Sequence, residues 1–152
     1  IGRTTSLFFD ASCLIAAAGS PTGGSGFLLS LCARRLLRAV VSQAILYEAE
    51  RNIQAKRGQV VLRAYHSLLI SVPFTVAPVP IVPTVAPWLK FVNAKDAHVV
   101  ASVLAHGTPY LLTLDQNLVS EIGKANLPFA ALTPGLFIND VLVQHTDYGS
   151  MR

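Results

Sequence analysis

The sequence predicts an α/β fold in which a mainly parallel sheet is covered by helices on both faces, giving three layers. Two observations carry this expectation. Short runs such as Leu7-Phe8-Phe9, Ala39-Val40-Val41 and Tyr110 to Leu114 are apolar almost throughout, as strands buried on both faces must be. Segments with helical spacing of apolar residues separate them, which is the alternation of a parallel sheet with crossover helices. The 152 residues suit one core, since an average domain has about 150. A single domain is expected over residues 1–143, followed by a polar, frayed tail over 144–152.

The first run ends at Asp10, and Ala11 to Ala18 reads as a helix stopped by Gly19. Ser20-Pro21-Thr22-Gly23-Gly24-Ser25-Gly26 has loop composition, and a helix is expected from Phe27 to Leu37. After the strand Ala39–Val41, Ser42 is placed to cap a helix from Gln43 to Lys56, and another runs from Gln59 to Ser71. Pro73 to Pro87 predicts an extended connection with room for an edge strand. A helix over Asp96–Ala105, a strand over Tyr110–Leu114, a helix over Gln116–Lys124 and a last strand over Phe129–Leu132 complete the reading.

Composition excludes several classes. Hydrophobic residues make up 52% and charged residues 13%, the reverse of a disordered chain. Ser67 to Leu89 carries no charge but holds five prolines. A helix interrupted that often cannot satisfy its backbone in lipid, so no membrane span is expected. Asp10 interrupts the early apolar run Leu7–Ala18, which argues against a signal peptide. Cys13 and Cys32 form no CxxC pair and read as free buried thiols, consistent with the cytoplasm. The loop Gly19 to Gly26 lacks the lysine that a phosphate-cradling P-loop requires. The net charge of +4 is compatible with a polyanionic partner without establishing one.

With only eight acids, each can be placed. Open parallel sheets put their chemistry outside the carboxyl ends of the strands. Asp10 and Asp115 each follow a strand directly. On a helix starting at Asp96, Val99, Val100, Val103 and Leu104 share its face, so this carboxylate is directed along a buried stripe. Such a group is costly unless paired, hydrogen-bonded or bound to a cation. Simple N-capping is the alternative for all three. The helical wheel does not choose between Glu48 and Glu50. Converging carboxylates would suit Mg²⁺ or Mn²⁺, which prefer hard oxygen ligands and can activate water against a phosphodiester. No Cys/His zinc spacing competes. A phosphate-accepting receiver domain would want an adjacent acidic pair early in the chain, and dehalogenase-like transfer would want an acid at position 12, where Ser12 stands.

Four segments in order resemble the PIN-domain nucleases, particularly the VapC-like toxins of toxin–antitoxin pairs. They are Leu7-Phe8-Phe9-Asp10-Ala11-Ser12-Cys13-Leu14-Ile15, Val41-Ser42-Gln43-Ala44-Ile45-Leu46-Tyr47-Glu48, Ala94-Lys95-Asp96-Ala97-His98-Val99-Val100-Ala101, and Leu112-Thr113-Leu114-Asp115-Gln116-Asn117-Leu118. The resemblance covers residues 7–140 and implies a PIN-like α/β/α sandwich. It implies a metal-dependent endoribonuclease whose acids are Asp10, Glu48, Asp96 and Asp115, with Ser12 and Thr113 in support. Asp10, Asp96 and Asp115 would hold the Mg²⁺ or Mn²⁺, and Glu48 would complete the pocket or orient water. RNA as substrate, a cognate antitoxin and a homodimer are implied as partners. Two positions depart from the family: Ser12 stands where many members have asparagine, and Asn117 where many have a further acid. The second departure leaves open a catalytically weak or inactive module of the same fold that binds RNA or protein.

Seven of the twelve basic residues fall between Arg34 and Arg63. Arg34, Arg35 and Arg38, with Lys95 beside Asp96, are the candidate phosphate contacts, against the alternative of a solvated helix face. His98 lies off the core stripe and is assigned no catalytic role; Trp88 reads as a packing anchor.

Overall fold

The computed structural model describes residues 1–90 and 92–151. Strands β1 (Ser6–Phe9), β2 (Arg38–Ser42), β3 (Thr75–Ala77), β4 (Tyr110–Leu112) and β5 (Ala130–Leu132) form one sheet, ordered β3-β2-β1-β4-β5, and every neighbouring pair is parallel. Leu7, Phe8 and Phe9 of the central strand are fully buried, so helices cover both of its faces. The sheet thus matches the layered α/β/α architecture expected from the uninterrupted apolar strands.

The order places a switch point at the carboxyl ends of β1 and β4. From β1 the chain steps outward through β2 and β3, then returns to lay β4 and β5 on the opposite side. Crossovers leaving β1 and β4 therefore diverge, and a crevice opens between them. Asp10 follows β1 and Asp115 lies three residues beyond β4.

Local sequence accounts for most helix boundaries. Helix α1 (Ala11–Gly19) starts at the Asp10 cap. Helix α3 (Gln43–Lys56) starts at Ser42, whose hydroxyl accepts the Ile45 amide at 3.1 Å, as its position predicts. Helix α4 (Gly58–Ser71) is tied back to α3 by Tyr65, whose hydroxyl donates to the Leu46 carbonyl at 2.8 Å. Helix α6 (Ala94–His106) ends at Gly107, whose φ of 73° is the left-handed conformation glycine adopts at little cost. Helix α7 (Gln116–Ala125) follows β4.

Four expectations need correction. The loop after α1 is shorter than its composition suggests, because Gly24 and Gly26 are the first turn of α2 (Gly24–Ala33). A side chain at Gly26 would overlap the Pro21 carbonyl, so this glycine permits close approach of the loop to the helix. The proline segment is not extended throughout. After β3 it forms a short helix, α5 (Val82–Val85), and a 3₁₀ turn over Ala86–Lys90, with Trp88 packed against the core. Asp96 is no N-cap, since Asn93 holds that position and Asp96 lies in the first turn. Finally, the described residues of the tail do not fray. His145 is buried with its Nε2 2.7 Å from the Leu36 carbonyl, Met151 is buried, and the Arg34 guanidinium donates to the Ser150 carbonyl at 3.1 Å. Residue 152 lies outside the described residues.

Cys13 and Cys32 are free and buried, as expected. Among the described residues no single helix is long and apolar enough to cross a membrane.

Two glycines separate packing from conformational entropy. Gly26→Ala should lower stability by about 1–3 kcal/mol in urea denaturation, because the new methyl displaces backbone. Gly123, inside α7 with nothing within 4 Å of a built Cβ, should tolerate alanine with a gain of about 0.5–1 kcal/mol. Equal effects at both positions would refute the close-approach account of Gly26.

Candidate active site

Asp10 is the pivot of the crevice. It is 8% exposed, and both carboxylate oxygens are engaged. Oδ1 accepts the Ala11 amide at 2.9 Å, which starts α1. Oδ2 accepts the Thr113 hydroxyl at 2.7 Å and the Ser12 hydroxyl at 3.3 Å. Thr113 is fully buried, and its Oγ1 accepts the Asp115 amide at 3.1 Å while donating to Asp10. Ser12 Oγ likewise accepts the Leu114 amide at 3.1 Å. Two hydroxyls thus stitch the end of β1 to the turn after β4, each satisfying a backbone donor and a carboxylate together.

Asp115 caps α7, with Oδ1 accepting the amides of Asn117 at 3.0 Å and Leu118 at 3.2 Å. The capping alternative is therefore correct for Asp10 and Asp115 as local structure. It does not account for Asp96. That carboxyl is 7% exposed, beside Val99, Val100 and Val103 on the buried face of α6. Burial first, then Asp10 and, to a smaller extent, Asp115 and Glu48 together raise its pKa to about 6 against the opposing charge of Lys95. Glu48, on the more open surface of α3, is raised first by partial burial and then by Asp10, with His98 and Lys95 opposing. Asp10, Asp115 and Glu48 thus all act on Asp96 from separate elements, and Asp10 acts on Glu48 as well. Glu50 is turned away, its Oε1 lying 3.2 Å from His66 Nε2.

The remaining candidates divide. Asn117 is exposed at the start of α7, and its amide supports Asp115. Lys95 lies close enough to act on both Asp96 and Glu48. Arg34 is spent on the C-terminal carbonyls. Arg35 and Arg38 lie at the amino-terminal edge of the sheet, where β2 begins, opposite the acids. Loop residues Ser20, Gly23 and Gly24 line a hollow with Leu114, Pro134 and Gly135, forming a rim one residue from Thr113 and Asp115. His98 is the residue that the wheel argument missed. Its ring acts on Glu48, and its Nδ1 is buried without a hydrogen-bond partner. A wheel recognises one buried stripe, whereas α6 has neighbours on two sides.

The donor set fits a hard divalent cation in chemistry. Asp10, Asp115 and Glu48 raise the proton affinity of the buried Asp96, and oxygen is the ligand Mg²⁺ and Mn²⁺ prefer. It is not a closed cage. Among the described residues no three His, Cys, Asp or Glu side chains are gathered tightly enough to hold an ion.

No family model and no curated protein matches the sequence. Solved structures do match in shape. One is PAE2754 from Pyrobaculum aerophilum, with 20% identity, 92% of this chain and 97% of that chain covered, and a TM-score of 0.65. Another is VapC20 from Mycobacterium tuberculosis, a sarcin–ricin-loop-cleaving toxin, with 16% identity, 80% and 97% covered, and a TM-score of 0.59. At these identities the likeness is one of fold alone, a PIN-like α/β/α sandwich.

The Asp96 shift has a definite sign for stability. Its folded pKa lies above the unfolded one of 3.8, so the native state binds more protons between about pH 4 and pH 6. Stability of the metal-free protein should fall as pH rises through that window and remain lowered above it. Asp96→Asn should abolish this fall and stabilise the protein at pH 7 by about 1–3 kcal/mol. Thermal melts across pH 4–8 check it; a less stable Asp96→Asn at pH 7 would contradict the repulsive cluster.

Proposed function

We propose that this chain, with a VapC-like PIN fold, is a Mg²⁺- or Mn²⁺-dependent endoribonuclease whose active site is formed by Asp10, Glu48, Asp96 and Asp115. The observation that carries the reading is the buried Asp96, raised in pKa by burial and by three other carboxylates at the switch point of the sheet. Asp96 caps no helix, so capping does not account for its place under the influence of the other acids.

Asp10, Asp96 and Asp115 would hold the cation. When bound, it would supply the positive charge that makes water a better nucleophile and offsets charge building on a phosphodiester. The chain's own contribution is mainly positioning. Thr113 and Ser12 fix Asp10 in one orientation, and the first amides of α7 fix Asp115. Glu48, more open to solvent and with a raised pKa, would complete the acidic pocket or orient water. Lys95, whose charge acts on Asp96 and Glu48, would meet a substrate phosphate. A cytoplasmic toxin that dimerises and is neutralised by a cognate antitoxin is the biological setting this reading favours.

The second reading is a weak or inactive RNA- or protein-binding module. It draws on Asn117 in place of a further acid and on the open spacing of the carboxylates. Under it, RNA binding persists in EDTA and no products form.

Asp10→Asn should reduce cleavage of a single-stranded RNA by at least about a hundredfold with circular dichroism unchanged, and EDTA should stop the parent protein. Mn²⁺ should raise the parent's melting temperature and leave that of Asp10→Asn nearly unmoved. Cleavage by Asp10→Asn at the parental rate would exclude catalysis at this pocket.

A further inference from the structure

A second polar hollow lies at the opposite end of the molecule. It measures about 360 Å³ and is lined by Arg3, Thr4, Cys32, Arg35, Leu37, Arg38, Pro73 and Thr75. These residues surround the amino-terminal starts of β1, β2 and β3, whereas the acids lie past the carboxyl ends. Ser6 to Asp10 alone spans about 13 Å at the rise of a strand, so the two sites are distinct.

Its electrostatics differ from those of the crevice. Three guanidinium groups line the hollow and no carboxylate does. Arg3 is held by Asp147 at 2.9 Å, and that pair anchors it at the rim. Arg35 and Arg38 have no ion pair among the described residues. Arg35 also adopts a φ of 59°, in the left-handed region that a non-glycine residue enters at a cost. Glycine would relieve that strain but would carry no charge. The Thr4 and Thr75 side chains add hydroxyl donors, and Leu37 and Pro73 supply apolar wall. The forked donors of Arg35 and Arg38, which have no carboxylate paired to them among the described residues, are the chemistry that recognises phosphate oxygens.

We infer that the hollow formed by Arg3, Arg35 and Arg38 is a phosphate-binding site separate from the acidic crevice. Its phosphate comes either from a distal stretch of the RNA strand or from a free phosphorylated small molecule. The RNA arm rests on the ribonuclease reading above; the site itself does not.

The test uses the full chain carrying Asp10→Asn in EDTA, so that nothing is cut, and compares it with the same protein bearing Arg35→Gln and Arg38→Gln. The probes are inorganic pyrophosphate, followed by thermal shift, and a labelled 20-nucleotide single-stranded RNA, followed by fluorescence anisotropy. Pyrophosphate should raise the melting temperature of the first protein and not of the second. If RNA supplies the phosphate, the double change should weaken RNA binding about tenfold and lower the slope of log affinity against log salt by about 1.4, for two lost contacts. If only pyrophosphate distinguishes the proteins, a free phosphorylated ligand is the occupant. Arg35→Lys with Arg38→Lys keeps the charge and should recover only part of the effect, which separates phosphate recognition from a folding defect. The nuclease reading is checked separately, by whether the parent protein cleaves the same RNA in Mn²⁺. Loss of cleavage in the parent with the pyrophosphate effect intact would overturn the nuclease reading alone. Identical responses of the two uncut proteins to both probes would overturn the phosphate site.

Discussion

A carboxylate buried at the carboxyl edge of a sheet is tolerable only if both oxygens are occupied, and Asp10 shows how this chain meets that condition. The Thr113 and Ser12 hydroxyls and the first amide of α1 satisfy it. Those same hydroxyls receive the amides of Asp115 and Leu114. The network therefore does two jobs at once. It compensates the burial of a charge, and it fixes the turn after β4 against the start of α1. Without it, the two strands at the switch point would lack the polar cross-link that sets the positions of two of the four acids.

The remaining acids are added against electrostatic cost. Asp96 gains no capping bond, sits on an apolar face and is opposed by three like charges, with Lys95 as relief. A fold selected only for stability would replace it. Its retention fits the proposed role of the acids, in which a cation would offset their repulsion. Stability and reactivity pull in opposite directions at this residue, as they commonly do where a site stores unfavourable charge.

Charge is also sorted along the sheet. The carboxyl edge concentrates acids, while the amino edge carries Arg3, Arg35 and Arg38 around a hollow without carboxylates. Parallel strands make such a separation simple, because every strand start lies at one edge and every strand end at the other. Residues only a few positions apart, such as Arg38 and Ser42 at the two ends of β2, consequently face different chemical environments.

Much of this was legible in the chain. The apolar runs at residues 7–9, 39–41 and 110–114 required a sheet covered on both faces, although the third of these strands stops at Leu112, and Ser42, Gly107 and the spacing of Val99, Val100 and Val103 marked helix starts, stops and faces. These are local effects, set by burial, capping and backbone freedom within a few residues. Other features depended on partners far away in sequence. Gly24 to Gly26 reads as loop until Pro21 is seen folded against it, and the polar tail reads as frayed until His145 meets Leu36. The helical wheel could not separate Glu48 from Glu50, because only packing decides which glutamate faces Asp10 and which faces His66. Nor could adjacency in sequence place Arg35 and Arg38, which the start of a strand carries to the edge opposite the acids. Sequence determined which elements form and which acids terminate them; the tertiary structure decided which charges share a crevice, because Coulomb interaction depends on distance through space rather than on separation along the chain.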